Sequence, residues 1–169
     1  MANKYLQLGS VGFPEEVEAR DTSVGAGDAG KLAALDGTGK LSSTMMPAGI
    51  GTDSKSMTAA EALAAGDLVY ITAAGTVMKA DANDIAKAAV GFVLTAIGNG
   101  ASGIVYFEGT ITGLSGLTPG AQYFLSATAG QVVLAASLPT AAGDVAQPIG
   151  RAISATEINF EAGHPIKRA

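Results

Sequence analysis

The chain contains no cysteine. Disulfides and thiolate metal sites are therefore excluded, and the redox state of its compartment leaves no mark on it. It has a single histidine, too few imidazoles for a zinc site where thiolates are missing. Aromatic residues make up 5% and charged residues 15%, the latter well below the roughly one quarter of ordinary domains. Basic residues form no run: ten Lys and Arg are scattered against fifteen Asp and Glu, for a formal net charge of −5. A nucleic-acid surface needs clustered cations to displace counterions, so nucleic acid is not an expected partner. Met1-Ala2-Asn3-Lys4 is not followed by the apolar stretch of a signal peptide. No apolar run approaches the roughly 20 residues that span a bilayer. The expectation is a soluble chain made in the cytoplasm, with no membrane partner.

What is present is small. The hydrophobic fraction is 48%, but much of it is alanine, which buries little surface per residue. Glycine accounts for 23 of 169 residues, against an average of about 7%. Turns and β-branched positions fill the rest. A weak core of this kind is often completed by self-association.

Two regions differ. Residues 1–54 carry Gly, Ser, Thr, Asp and Glu with few branched apolar residues. Phe13-Pro14 and Met46-Pro47 are extended or turn dipeptides, because proline disfavours the α region before it. Gly25, Gly27, Gly30, Gly37 and Gly39 break any helical period. Such a segment cannot bury enough surface to fold alone and reads as an extended arm. Its apolar points, Tyr5, Leu6, Leu8, Val11, Phe13, Leu32, Leu35, Leu41, Met45 and Met46, are spaced like separate anchors.

Residues 55–169 change pattern. Short branched and aromatic runs recur between Gly-rich turns: 68–72, 77–79, 89–94, 104–107, 110–112, 122–126, 132–134, 149–153 and 157–160. This spacing predicts a small barrel or sandwich. The connections are too short for helical crossovers, so the sheets should be mostly antiparallel. Thr58–Ala65 (TAAEALAA) is rich in good helix formers, yet a strand or turn is preferred, with Gly66-Asp67 as a hairpin-like connection into Leu68. Asp84–Ala88 is a weaker helical candidate. Val69, Ile71, Phe92, Val93, Tyr106, Phe107, Tyr123 and Phe124 are the expected core and oligomer-interface residues.

Chemical readings are weighed against bland ones. His164 precedes Pro165 near the end, and no Gly-x-Ser-x-Gly elbow exists; it reads as an exposed tail residue. Glu15, Glu16 and Glu18 lie in the arm beside Arg20 and Asp21, outside any pocket that could hold a sugar between two carboxylates. A solvated charged stretch is preferred. Asp81-Ala82-Asn83-Asp84 resembles a partial calcium loop without the terminal bidentate Glu, so an Asx turn is preferred. Gly25 to Gly30 matches G-x-G-x-x-G, but a preceding strand and a following helix are missing. Tyr70 and the aromatics at 92, 106, 107, 123 and 124 suit core or subunit interface better than a carbohydrate-stacking platform. No catalytic residue, metal or cofactor is expected.

Residues 27–47, GDAGKLAALDGTGKLSSTMMP, are similar to a recurring unit of phage tail and head fibres. GLSGLTPGAQYFLS at 113–126 resembles an element of fibre and collar domains. GDLVYI at 66–71, with AVGFVL at 89–94, resembles the small β-barrels that decorate capsids, where a Val-Gly turn precedes a hairpin. Here GIVYFEGTIT at 103–112 would supply that hairpin. The resemblance implies a homotrimeric structural virion protein, not an enzyme: a capsid decoration or cement protein, or short head fibre. Its arm would grip the major capsid protein while the β domain projects from the particle surface. The alternatives are a short tail fibre recognising host-surface glycans, and a polysaccharide depolymerase. A true tail fibre usually carries a long shaft, which this chain lacks.

Overall fold

A computed structural model describes residues 4–46 and 53–169. Met1–Asn3 and Pro47, the end of the fibre-like unit, lie outside the described residues. The chain divides into two units, Met1–Gly51 and Thr52–Ala169.

The first unit holds one antiparallel hairpin, β1 (Lys4–Leu8) with β2 (Pro14–Glu18). The sequence pattern gives no warning of it, because β2 reads PEEVE and carries one branched residue. Pro14 opens β2, as expected of a residue that cannot donate to a ladder. Beyond the hairpin the chain makes one-turn 3₁₀ segments at Ala26–Asp28 and Ser43–Met45.

The second unit is mainly β. Its first half supplies β3 (Ser54–Thr58), β4 (Leu68–Ile71), β5 (Val77–Lys79), β6 (Gly91–Phe92) and β7 (Ser102–Tyr106). Its second half supplies β8 (Gly109–Ile111), β9 (Gln122–Leu125), β10 (Val132–Leu134), β11 (Val145–Ala146), β12 (Pro148–Ala152), β13 (Ile158–Phe160) and β14 (Ile166–Lys167). The strands form two five-stranded sheets, ordered β3-β7-β6-β4-β5 and β10-β9-β12-β13-β8, plus the pair β11-β14. Every strand pairing is antiparallel.

Three expectations need correction. The barrel alternative fails: both sheets are open in strand order, and no strand pairing joins β3 to β5, only the isolated bridge Ala59 to Val77 and the contacts of residues 60–61 just after it. GIVYFEGTIT at 103–112 is not a hairpin. Its two halves, β7 and β8, belong to different sheets, and the chain changes layer at Phe107-Glu108. Gly66-Asp67 does not connect a hairpin either, because β3 pairs with β7. Asp67 instead closes a turn, its carboxylate accepting from Ala64 N at 2.7 Å. Thr58–Ala65 is strand end and turn, and the weaker helical candidate is a 3₁₀ turn at Ile85–Lys87 capped by Asp84.

Two apolar clusters hold this unit. Leu68 and Phe92 from the first sheet meet Ile111, Leu125, Ile149, Ile158 and Phe160 from the second. Phe92 lies 5.2 Å from Phe160, tilted, and 5.6 Å from Tyr106, stacked, within the range of favourable aromatic pairs. Val69, Val77, Val93 and Val105 face the other way, onto Leu63 and Ile97. Successive strand residues point to opposite faces, so the burial of both Leu68 and Val69 makes β4 a central strand covered on both sides. The buried Gln147 amide is matched. Gln147 accepts from Ala89 N and donates to Ala89 O, both at 2.8 Å, and donates to Gly163 O at 3.2 Å, standing in for a missing strand neighbour. Gly130 has φ +79°, and a Cβ there would fall 2.6 Å from Asp67 Oδ1. Only glycine fits that turn without displacing Asp67.

Candidate adhesive surface

The hairpin places its side chains by register. Lys4, Leu6 and Leu8 stand opposite Glu18, Glu16 and Pro14, while Tyr5 and Gln7 stand opposite Val17 and Glu15. Side chains alternate across a strand, so these are two faces. On one, Gln7 Nε2 donates to Glu15 Oε1 at 2.9 Å, and Tyr5 and Val17 are half-buried. On the other, Lys4 pairs with Glu16, and Leu6 and Leu8 stand open at 73% and 75% exposure. In the turn, Val11 and Phe13 are likewise open, at 79% and 74%.

The rest of this unit is joined by polar contacts. Arg20 N donates to Leu32 O at 2.9 Å, and Ala34 N donates to Arg20 O. Arg20 Nε lies 3.1 Å from Asp28 Oδ1, while Asp28 Oδ2 accepts from Val24 N at 2.8 Å. Ser23 N donates to Thr44 Oγ1 at 2.9 Å. Asp36 organises its own turn: Oδ1 accepts from the Thr38 hydroxyl at 2.7 Å, Thr38 N at 2.8 Å and Lys40 N at 3.0 Å. Those donors, the Thr38 hydroxyl foremost, hold its carboxyl below the usual carboxylate range.

Among residues 4–46 no apolar side chain is buried. Of the expected anchors, Leu6, Leu8, Val11, Phe13, Leu32, Leu35, Leu41 and Met46 are exposed, and Tyr5 and Met45 are half-buried. Val24, which is not among the expected anchors, is the most exposed of the large apolar residues. Burying a large apolar side chain stabilises by roughly 1.5–3 kcal/mol. The four residues of the hairpin face and turn therefore leave about 6–12 kcal/mol unrealised. That is of the same order as the roughly 4–15 kcal/mol cost of association.

The second unit offers less chemistry. Val69, Phe92, Val93 and Tyr123 lie in its own core, Tyr106, Phe107 and Phe124 are half-buried, and Ile71 is exposed. Tyr123 uses its hydroxyl to accept from Thr118 N at 2.9 Å. Asp81 is engaged as an Asx turn: Oδ1 accepts from Asn83 N at 3.0 Å, and Oδ2 lies 3.0 Å from Lys87 Nζ. That contact raises the lysine pKa above its ordinary value. His164 is exposed. A cleft of about 460 Å³ opens between β10 and the Gly113–Leu117 loop. Among the described residues no helix is long and apolar enough to cross a membrane. No family model matches the chain, and no curated protein matches it.

Proposed function

We propose that the chain is a non-enzymatic structural protein of a phage particle. Its N-terminal unit binds the outer surface of the capsid, and its β unit self-associates and projects. The observation that carries this reading is the set of exposed apolar residues, led by Leu6, Leu8, Val11 and Phe13, in a segment, residues 4–46, that buries no apolar side chain. An isolated two-stranded hairpin is marginal in water. A surface that supplies a groove or a strand edge for it recovers the burial that the unit lacks. The similarity of residues 27–47 and 113–126 to fibre units supports placement on a virion. Three such arms on a homotrimer gain avidity from one another. Bridging neighbouring capsid subunits would then resist internal pressure mechanically, with no chemistry required.

The test is a binding assay on particles assembled without this protein. Full-length protein should bind them and raise the temperature at which they release DNA. Protein lacking residues 1–50 should fail to bind. Full occupancy by the truncated protein would remove the N-terminal unit from the adhesive role. Leu8→Asp with Phe13→Asp should weaken binding at least tenfold.

A further inference from the structure

Exposed sheet edges invite pairing with other chains, and proteins usually blunt them with charge, proline or a covering segment. The two five-stranded sheets have four terminal strands, β3, β5, β8 and β10. Three of them are blunted. β3 carries the exposed Lys55. β5 is covered by the chain at 60–61: Ala60 N donates to Val77 O at 2.9 Å, and Glu61 Oε1 accepts from Lys79 N at 2.7 Å. β8 is bordered by acids, with Glu108 before it and Glu161 lining the same surface. β10 has none of these devices. Gln131-Val132-Val133-Leu134 carries no charge and no proline, and it borders the cleft whose far wall includes Leu114 and Leu117.

The hydrogen-bond phase shows which groups are free. Ser126 N donates to Gln131 O at 3.0 Å. Alternation along an antiparallel ladder then turns the N–H and C=O groups of Val132 and Leu134 away from β9. The hairpin of the first unit has the matching feature. Gly9 N donates to Phe13 O at 2.8 Å, so the backbone groups of Leu6 and Leu8 point away from β2. Both edges present two residues spaced by two, and the cleft is lined by no charged residue.

We propose that β10 is an acceptor edge for β1 of a second copy of this chain, with Leu6 and Leu8 set against Val132 and Leu134. The inference rests on the self-association in the functional reading, and is independent of what the particle supplies. Such a contact is head-to-tail, since donor and acceptor are different surfaces. Repetition closes a ring when the rotation permits, and a three-membered ring is the homotrimer.

The absence of cysteine makes the test direct. Two double variants are made in the full-length protein, Leu6→Cys with Leu134→Cys and Leu8→Cys with Leu134→Cys, alongside each single variant. Adjacent strands bring such residues within disulfide reach, so one pair should give covalent multimers that a reductant dissolves. The exposed Leu134 can be changed to Lys without touching the core. With the β signal in circular dichroism unchanged, Leu134→Lys should shift the light-scattering mass from multimer to monomer, as should Leu6→Lys. A wild-type monomer, a multimer unmoved by both lysine variants, or a disulfide formed only within one chain would each overturn the assignment. So would covalent dimers formed by the Leu6→Cys single variant, which place β1 against β1. Strand exchange together with no particle binding would leave this inference standing while the functional reading fell.

Discussion

At Asp36 a single carboxylate accepts three hydrogen bonds and so shapes the LDGTGK turn of the N-terminal unit. Its pKa in the folded protein is lowered, first by the Thr38 hydroxyl. A lowered carboxylate pKa adds stability that is fully present above the unfolded value of about 3.9 and is lost as pH falls through the lower folded value. In an NMR titration the Thr38 and Lys40 amides should therefore move with a midpoint below about 3.9. Asp36→Asn should abolish that transition while leaving the rest of the spectrum in place. A midpoint at the ordinary value would mean that the turn does not hold the ionised group. The motif Leu-Asp-Gly-x-Gly-Lys is plain in the sequence, since Asp followed by Gly marks a turn. Which backbone groups Asp36 would collect was not.

Elements of the β unit were legible in proportion to their local signal. Leu68–Ile71, Val77–Lys79, Gln122–Leu125 and Val132–Leu134 are strands where branched and aromatic residues run between Gly-rich turns. β11 and β14 have two residues each and no such run; they exist because Val145 and Ala146 meet Lys167 and Ile166 across a distance in sequence. Pairing partners were the weaker inference. Proximity in sequence suggested that 103–112 folds on itself, but burial of Val105 in one cluster and Ile111 in the other splits it between layers. Phe92 stacks on Tyr106 in its own sheet and meets Phe160 from the opposite one. Phe92→Ala should cost about 3–5 kcal/mol, read as a fall in denaturation midpoint with a largely unchanged slope. A loss under about 1 kcal/mol would mean that the two sheets are not joined through this ring.

At the scale of the whole molecule, the buried apolar residues among those described all fall within Thr52–Ala169. The thermal midpoint of residues 53–169 should accordingly move by no more than about 2 °C when the first 50 residues are removed, since a shift of about 4–8 °C accompanies each kcal/mol in a domain of this size. A large fall in calorimetry would show that the N-terminal unit contributes to that core. One unit has a core and an unblunted strand edge, and the described residues of the other, 4–46, have exposed apolar side chains and bury none.

Composition and local pattern alone determined that the protein is mainly β, low in charge, free of cysteine chemistry and divided in character near residue 54. These properties follow from side-chain size, branching and turn residues, which act over a few positions. Only tertiary structure decided which strands neighbour one another, that the sheets stay open, that Lys4–Glu18 makes a hairpin, and that β10 is the edge left bare. Those outcomes depend on long-range burial and on which backbone groups find partners, and neither is written in any short window of residues.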